Sequence, residues 1–255
     1  TAVTALIRQA TTAAISYSNA EDRQEVRDRL VAILATGLRD AMPGSDHQVA
    51  YANGLAAAAT TDAADLLKGW LSGEEVPEGL SIDQGMRWRL VTALARLGRV
   101  GEDEIAAELQ RDNTISGSEQ AAGARAAMPT TEAKQAAWQR ATTDDSVPNE
   151  TYRQLVMQFI QPDQTEVLSP YVDPYLELCK AIDSHEGQWA KAGHAQVQNA
   201  LMWLFPSTEV IDAAWLNKLE GWVSDNDPGS TVRRVLAERA DNARRILRCQ
   251  EASRG

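Results

Sequence analysis

The sequence predicts an all-α protein, and three observations carry that prediction. Helix formers (Ala, Leu, Arg, Gln, Glu) dominate the composition, while only two Phe occur. Apolar residues recur at helical spacing almost throughout, and no stretch shows sustained period-two alternation rich in β-branched residues. Four stripes are clear. Leu90, Ala93, Leu94 and Leu97 form the first. Tyr152, Leu155, Val156, Phe159 and Ile160 form the second, Val197, Leu201, Leu204 and Phe205 the third, and Trp215, Leu216, Leu219, Trp222 and Val223 the fourth. Each lines one side of a helix.

Breaks fall between the stripes. Pro43-Gly44-Ser45-Asp46 ends one helix and caps the next. Gly98 stands where a left-handed C-terminal cap belongs, with Gly101 close behind. Ser116-Gly117-Ser118-Glu119 fits a capping box, in which Ser and Glu satisfy free amides reciprocally. Pro129-Thr130 breaks an Ala-rich helix and opens another, and Val147-Pro148-Asn149 separates two more, with Asn149 as the expected N-cap.

About a dozen helices of ordinary length result, joined by short connections that make neighbours antiparallel. So many short helices cannot share one bundle core. Stacked hairpins in the HEAT or armadillo manner solve this, because each pair buries its face on the next. The expected fold is therefore an irregular right-handed superhelix of antiparallel helical hairpins, irregular because no strict repeat is present. No linker marks a boundary, so residues 1–255 are read as one domain, with a hinge allowed at 72–81.

The chain carries a net charge of −11, which repels phosphate backbones and argues against nucleic-acid binding. No apolar run is long enough to span a membrane, and the first residues lack the order of a signal peptide. Cys179 and Cys249 are too few for a disulfide framework. They read as free thiols of a cytoplasmic protein, with one long-range bridge as the alternative. The first methionine is Met42, so a start at Thr1 fits either initiator removal or excision from a longer polypeptide.

Catalytic motifs are scarce. There is no Gly-rich phosphate loop, no Gly-x-Ser-x-Gly elbow and no Cys-x-x-Cys. His47, His185 and His194 and two distant cysteines are too scattered to suggest a zinc site, which needs three or four convergent ligands. No catalytic or metal-binding residue is nominated.

The remaining signals are structural or electrostatic. Gly69-Trp70-Leu71-Ser72-Gly73 ends a helix, and an acidic loop follows with Glu74, Glu75 and Glu78. That loop is an ordinary solvated one, or a site for a peptide ammonium group. A new helix opens near Asp83 and carries Arg87 and Trp88, expected as a packing unit with Trp buried and Arg tied to a helix end or carboxylate. Asp112, Asn113 and Thr114 sit between helices, where any of them can cap the next, and Gly117 suits close helix approach. The last helix concentrates Arg233, Arg234, Arg239, Arg244, Arg245 and Arg248. Arg234–Glu238 and Asp241–Arg245 are expected as i, i+4 pairs. The sharper reading is that some of these arginines, Arg233, Arg234 and Arg239 first, line a cavity and attract a peptide carboxylate.

Two blocks taken together resemble a known family. One runs from Gly69 through Trp70, Pro77 and Asp83 to Arg87-Trp88-Arg89. The other runs from Glu108 through Asp112 and Thr114 to Gly117, then to Pro129, Lys134 and Trp138. Phe159 with Gln164, Tyr171 and Tyr175 around Pro174, and Arg233-Arg234 with Glu238 continue the pattern. The order and spacing resemble the C-terminal helical (ERAP-like) domain of the aminopeptidase N family of gluzincin zinc metallopeptidases. On that resemblance Trp70, Asp83, Arg87, Trp88, Asp112, Thr114, Gly117 and Trp138 form a structural signature. The resemblance implies a curved stack of helical hairpins that covers the active site of a larger enzyme and walls a peptide-binding chamber. It implies zinc in the parent enzyme's catalytic domain and no cofactor in this chain. The implied partners are that catalytic domain and peptide substrates, with a monomeric parent. The family's His-Glu-x-x-His motif is absent: His185-Glu186 is followed by Trp189 where the second His belongs. This chain is accordingly expected to be inactive alone. A free-standing helical scaffold for protein interaction is the competing expectation.

Overall fold

The computed structural model describes residues 2–253, and among these it is all-α, with fourteen α-helices and no strand. The chain forms two compact units, Thr1–Asp112 with Cys249–Gly255 and Asn113–Arg248.

The first unit contains α1 (Ala2–Thr12), α2 (Arg23–Asp40), α3 (Asp46–Ala58), α4 (Ala64–Ser72), α5 (Gln84–Arg96) and α6 (Glu102–Arg111). In α2, Arg27, Leu30, Leu34 and Leu38 are buried at successive turns, so one face is inside. It packs on α3, whose buried residues are mostly small. Small size is required there. A Cβ on Gly54 would lie 2.4 Å from Ile7 of α1, and one on Gly37 would lie 2.4 Å from the Tyr51 ring. By contrast α1 buries no residue fully.

Caps behave largely as the sequence suggests. Ser45 accepts the Gln48 N–H at 3.2 Å, and Asp83 accepts the Met86 N–H at 2.8 Å. Gly98 is left-handed at φ +66°, and Arg99 N–H closes back on Leu94 O at 2.8 Å. Gly101 N–H is taken by the Glu104 carboxylate at 2.8 Å. The loop between α4 and α5 is tied down by Gln48, which accepts from Gly44 N–H and donates to Glu78 O, both at 2.8 Å. Its acidic residues Glu74, Glu75 and Glu78 are all exposed.

The second unit contains α7 (Ile115–Ala127), α8 (Thr131–Thr143), α9 (Asn149–Met157), α10 (Thr165–Leu168), α11 (Val172–Asp183), α12 (His194–Trp203) and α13 (Ala213–Asn226). The final helix, α14, spans Ser230–Ala252. The Ala-rich face of α7 lies directly on α9, and a Cβ on Gly123 would come within 3.3 Å of the Gln154 carbonyl. Bulk on α7 would therefore separate the pair. Two aromatic groups fill the rest of the core. Trp138, Phe159 and Tyr171 form one, and Tyr175, Phe205 and Trp215 the other. Tyr175 is fully buried and donates to Leu201 O at 2.6 Å. Cys179 and Cys249 are free thiols, the first buried and the second exposed.

Three local expectations need correction. Thr114, not Ser116, caps α7, accepting the Gly117 N–H at 3.0 Å, so the helix begins earlier and Ser116 and Glu119 lie inside it. Asn149 is the first helical residue rather than the cap. Pro148 holds the cap position, and its carbonyl takes the Tyr152 N–H at 2.8 Å. Arg245 donates to Asn242 at 2.6 Å instead of pairing with Asp241.

Gly79 gives a sharp test of the loop geometry. Its φ is +78°, and a Cβ there would lie 2.5 Å from Gly44 N and 2.7 Å from Pro43 Cβ. Gly79→Ala is expected to cost about 2–3 kcal/mol, read as a lowered urea midpoint at unchanged slope.

Candidate functional site

The signature residues separate into two clusters, one in each unit. In the first, the N-terminal turns of α5 present Arg87 and Trp88 to α6. Arg87 meets Glu108 with both arms of its fork, Nε to Oε1 at 2.8 Å and Nη2 to Oε2 at 2.5 Å. Its Nη1 donates to Leu71 O at 2.9 Å, in the last turn of α4, where carbonyls lack intrahelical partners. One guanidinium thus serves both a helix end and a carboxylate. The Glu108 contact holds the Arg87 guanidinium above its usual range. Trp88, buried, donates from Nε1 to Asp112 Oδ2 at 2.7 Å. Trp70 is 1% exposed on α4, and Asp83 serves as the α5 cap. Asp112 is therefore an acceptor for indole here.

In the second unit, Thr114 and Gly117 form the α7 cap described above. Trp138, half-buried on α8, stacks obliquely against Tyr171 with ring centres 5.0 Å apart. Nearby, Lys134 is fully buried and donates to Ala126 O and Phe159 O, each at 2.7 Å. Gln164 donates to Ala127 O at 2.9 Å. The family pattern includes Lys134 and Gln164, but spacing alone gives no hint that both close the end of α7.

The three arginines proposed for a peptide carboxylate differ from one another. Arg233 is exposed and bound to Asp227 at 2.6 Å and to Pro228 O at 3.0 Å. Arg234, also exposed, pairs with Glu238 at 3.2 Å. Arg239 lies half-buried with its guanidinium 5.5 Å from the centre of the Phe205 ring, and burial lowers its pKa. No carboxylate pairs with it among the described contacts.

Two depressions open on the second unit. One, of about 310 Å³, is bounded by Asp183, His185, Trp189, His194, Gly229 and Thr231. The other, of about 530 Å³, is a shallow apolar site between Trp138 and Trp189 with Asp173 and Glu177 on its rim. Neither is lined by Arg233, Arg234 or Arg239. Among the described residues no three His, Cys, Asp or Glu side chains converge as metal ligands. The described residues therefore do not fit a zinc ion. No helix among the described residues is long and apolar enough to cross a membrane.

Among its described residues the chain is all-helical, with a capping and packing signature and no convergent ligand set, so its class is defined by its fold. A family model described as ERAP1-like C-terminal domain matches residues 1–245, and the chain belongs to that family. It is also 36% identical over 251 residues to Aminopeptidase N of Streptomyces lividans. That match covers 98% of this chain but 28% of the relative's length.

The Arg87–Glu108 pair yields a testable asymmetry. The Glu108 side chain is 5% exposed, and its other cation, Arg111, reaches it at 3.3 Å. Arg87→Met is expected to cost about 3–5 kcal/mol, because it strands a buried carboxylate. Adding Glu108→Met should recover part of that loss, and a double-mutant cycle by urea unfolding measures the coupling.

Proposed function

We propose that this chain is the cap domain of a zinc-dependent aminopeptidase N, shaping the chamber and controlling peptide access while another part of the polypeptide performs the chemistry. The observation that carries the proposal is the coverage of the Streptomyces lividans relative. Nearly the whole chain matches, yet it spans 28% of a protein named for its peptidase activity. The lack of a convergent ligand set among the described residues supports the same division of labour.

In this reading residues 1–255 act as one domain, an irregular right-handed superhelix of antiparallel hairpins, with any hinge at 72–81. The partners are the catalytic domain of the same polypeptide, which supplies the zinc, and peptide substrates in a monomeric, cytoplasmic enzyme. Leu6, Ile33, Met42 and Val49 in the first unit and Ile115 in the second are exposed large apolar side chains.

The arginine reading narrows to Arg239, which lacks the acidic partners that occupy Arg233 and Arg234. A guanidinium held by an aromatic ring keeps its donors for a carboxylate. Arg233 and Arg234 would then contribute field rather than contact.

The experiment is peptidase assay and zinc analysis of the isolated chain, followed by mixing with a separately made catalytic portion. Inactive, metal-free protein that restores peptide cleavage on mixing supports the proposal. Stoichiometric zinc with turnover by the chain alone overturns it. In the reassembled enzyme Arg239→Gln is expected to raise KM for longer peptides about tenfold, the scale of one charge-assisted hydrogen bond. Turnover of short aminoacyl fluorophores should stay unchanged.

A further inference from the structure

One buried cation stands apart from the clusters above. The end of α7 leaves carbonyls that the helix cannot satisfy, and Ala126 O and Ala127 O find side-chain donors in Lys134 and Gln164. Lys134 also reaches Phe159 O, in the turn after α9, so a single Nζ joins the exits of two packed helices. Nζ lies 5.3 Å from the centre of the Phe159 ring. The site is sealed, since the Lys134 side chain belongs to a residue with 0% exposure.

The charged groups on the surrounding elements do not neutralise it. On α9, Glu150 is bound to Arg153, and Glu119 of α7 also acts on Arg153. On α8 itself, Glu132 and Arg140 are exposed, as is Glu166 on α10. Arg125 of α7 is a further cation. Tyr152 and Tyr171 are held in their neutral forms by burial. Burial alone displaces the Lys134 equilibrium, down to about 7. A neutral amine retains two N–H groups, enough for both carbonyls, so proton loss removes a buried charge without cutting either tie.

We propose that Lys134 is a proton-operated tie between the ends of α7 and α9: protonation loads a buried charge into the junction and loosens it, and deprotonation tightens it.

The sign follows from linkage. The folded group binds its proton less tightly than the free side chain at 10.5, so between about 7 and 10.5 the unfolded chain holds more protons. Stability must then rise with pH across that window and level off below it. Other buried groups act elsewhere. Cys179 is pushed up to about 12, and Tyr175 and Tyr152 are also raised; these lower stability as pH rises, Cys179 from about pH 8 and by about twofold at pH 9, the tyrosines at higher pH. Arg96, lowered to about 10, adds stability only at still higher pH.

The test is urea unfolding of the 255-residue chain from pH 6 to pH 9, with Lys134→Met in parallel. The folding constant of the unsubstituted chain is expected to rise about twenty-five-fold from pH 7 to pH 9, and that of Lys134→Met to fall by about twofold, the contribution of Cys179. Parallel pH profiles for the two proteins would overturn the proposal. Should Lys134→Met fail to fold, the ¹³Cε resonance of Lys134 in the unsubstituted chain decides alone. A midpoint below pH 8.5 supports the proton-operated tie, and one at or above pH 8.5 excludes it.

Discussion

Short helices leave many carbonyl ends, and finding donors for those ends when they are buried is the constraint on which this structure depends. Each α-helix finishes with up to four carbonyls that have no intrahelical donor. Here the donors come from neighbouring elements. Arg87 serves Leu71, Lys134 serves Ala126 and Phe159, Gln164 serves Ala127, and Arg27 and Arg96 both reach the Ala59 carbonyl. Long cationic and amide side chains suit this task, because they carry several donors on a stem that packs against apolar neighbours.

The rest of the packing follows. Donors that must span two helices demand close helix approach, and the chain provides it with Ala and Gly where helices cross. Gly37, Gly54 and Gly123 each stand where an added Cβ would meet another residue at 3.2 Å or less. Aromatic groups fill the space that small residues leave. The acidic surplus stays mostly on the surface, while several cations go inside as structural donors. Net charge therefore says little about the interior.

This economy suits the proposed role as a cap. A domain held by many local ties between neighbouring helices can present a shaped wall without supplying reactive groups. Trp70, Trp88, Arg87 and Lys134 are committed to internal contacts. Arg239, with an aromatic ring beneath it and no acidic partner among the described contacts, is the arginine to which the proposed carboxylate contact is assigned.

The sequence by itself determined the all-helical class, because apolar spacing and helix-forming composition reflect local backbone preference. It also located most caps: Ser45, Asp83, Gly98 and Thr130 act within a few residues of their targets, so short-range pattern is enough. Caps failed where local choices competed, as at Thr114 against Ser116 and at Pro148 against Asn149. Arg87 and Trp88 read as a packing unit, but their choice of Glu108 and Asp112 depends on how α5 meets α6. Only tertiary structure decided that Lys134 would be buried between two helix ends and that Arg239, not Arg233 or Arg234, would lack a carboxylate. Lys134 depends on Phe159, 25 residues away, and Arg239 on Phe205, distances that no local pattern encodes, whereas Arg233 and Arg234 find Asp227 and Glu238 nearby in sequence.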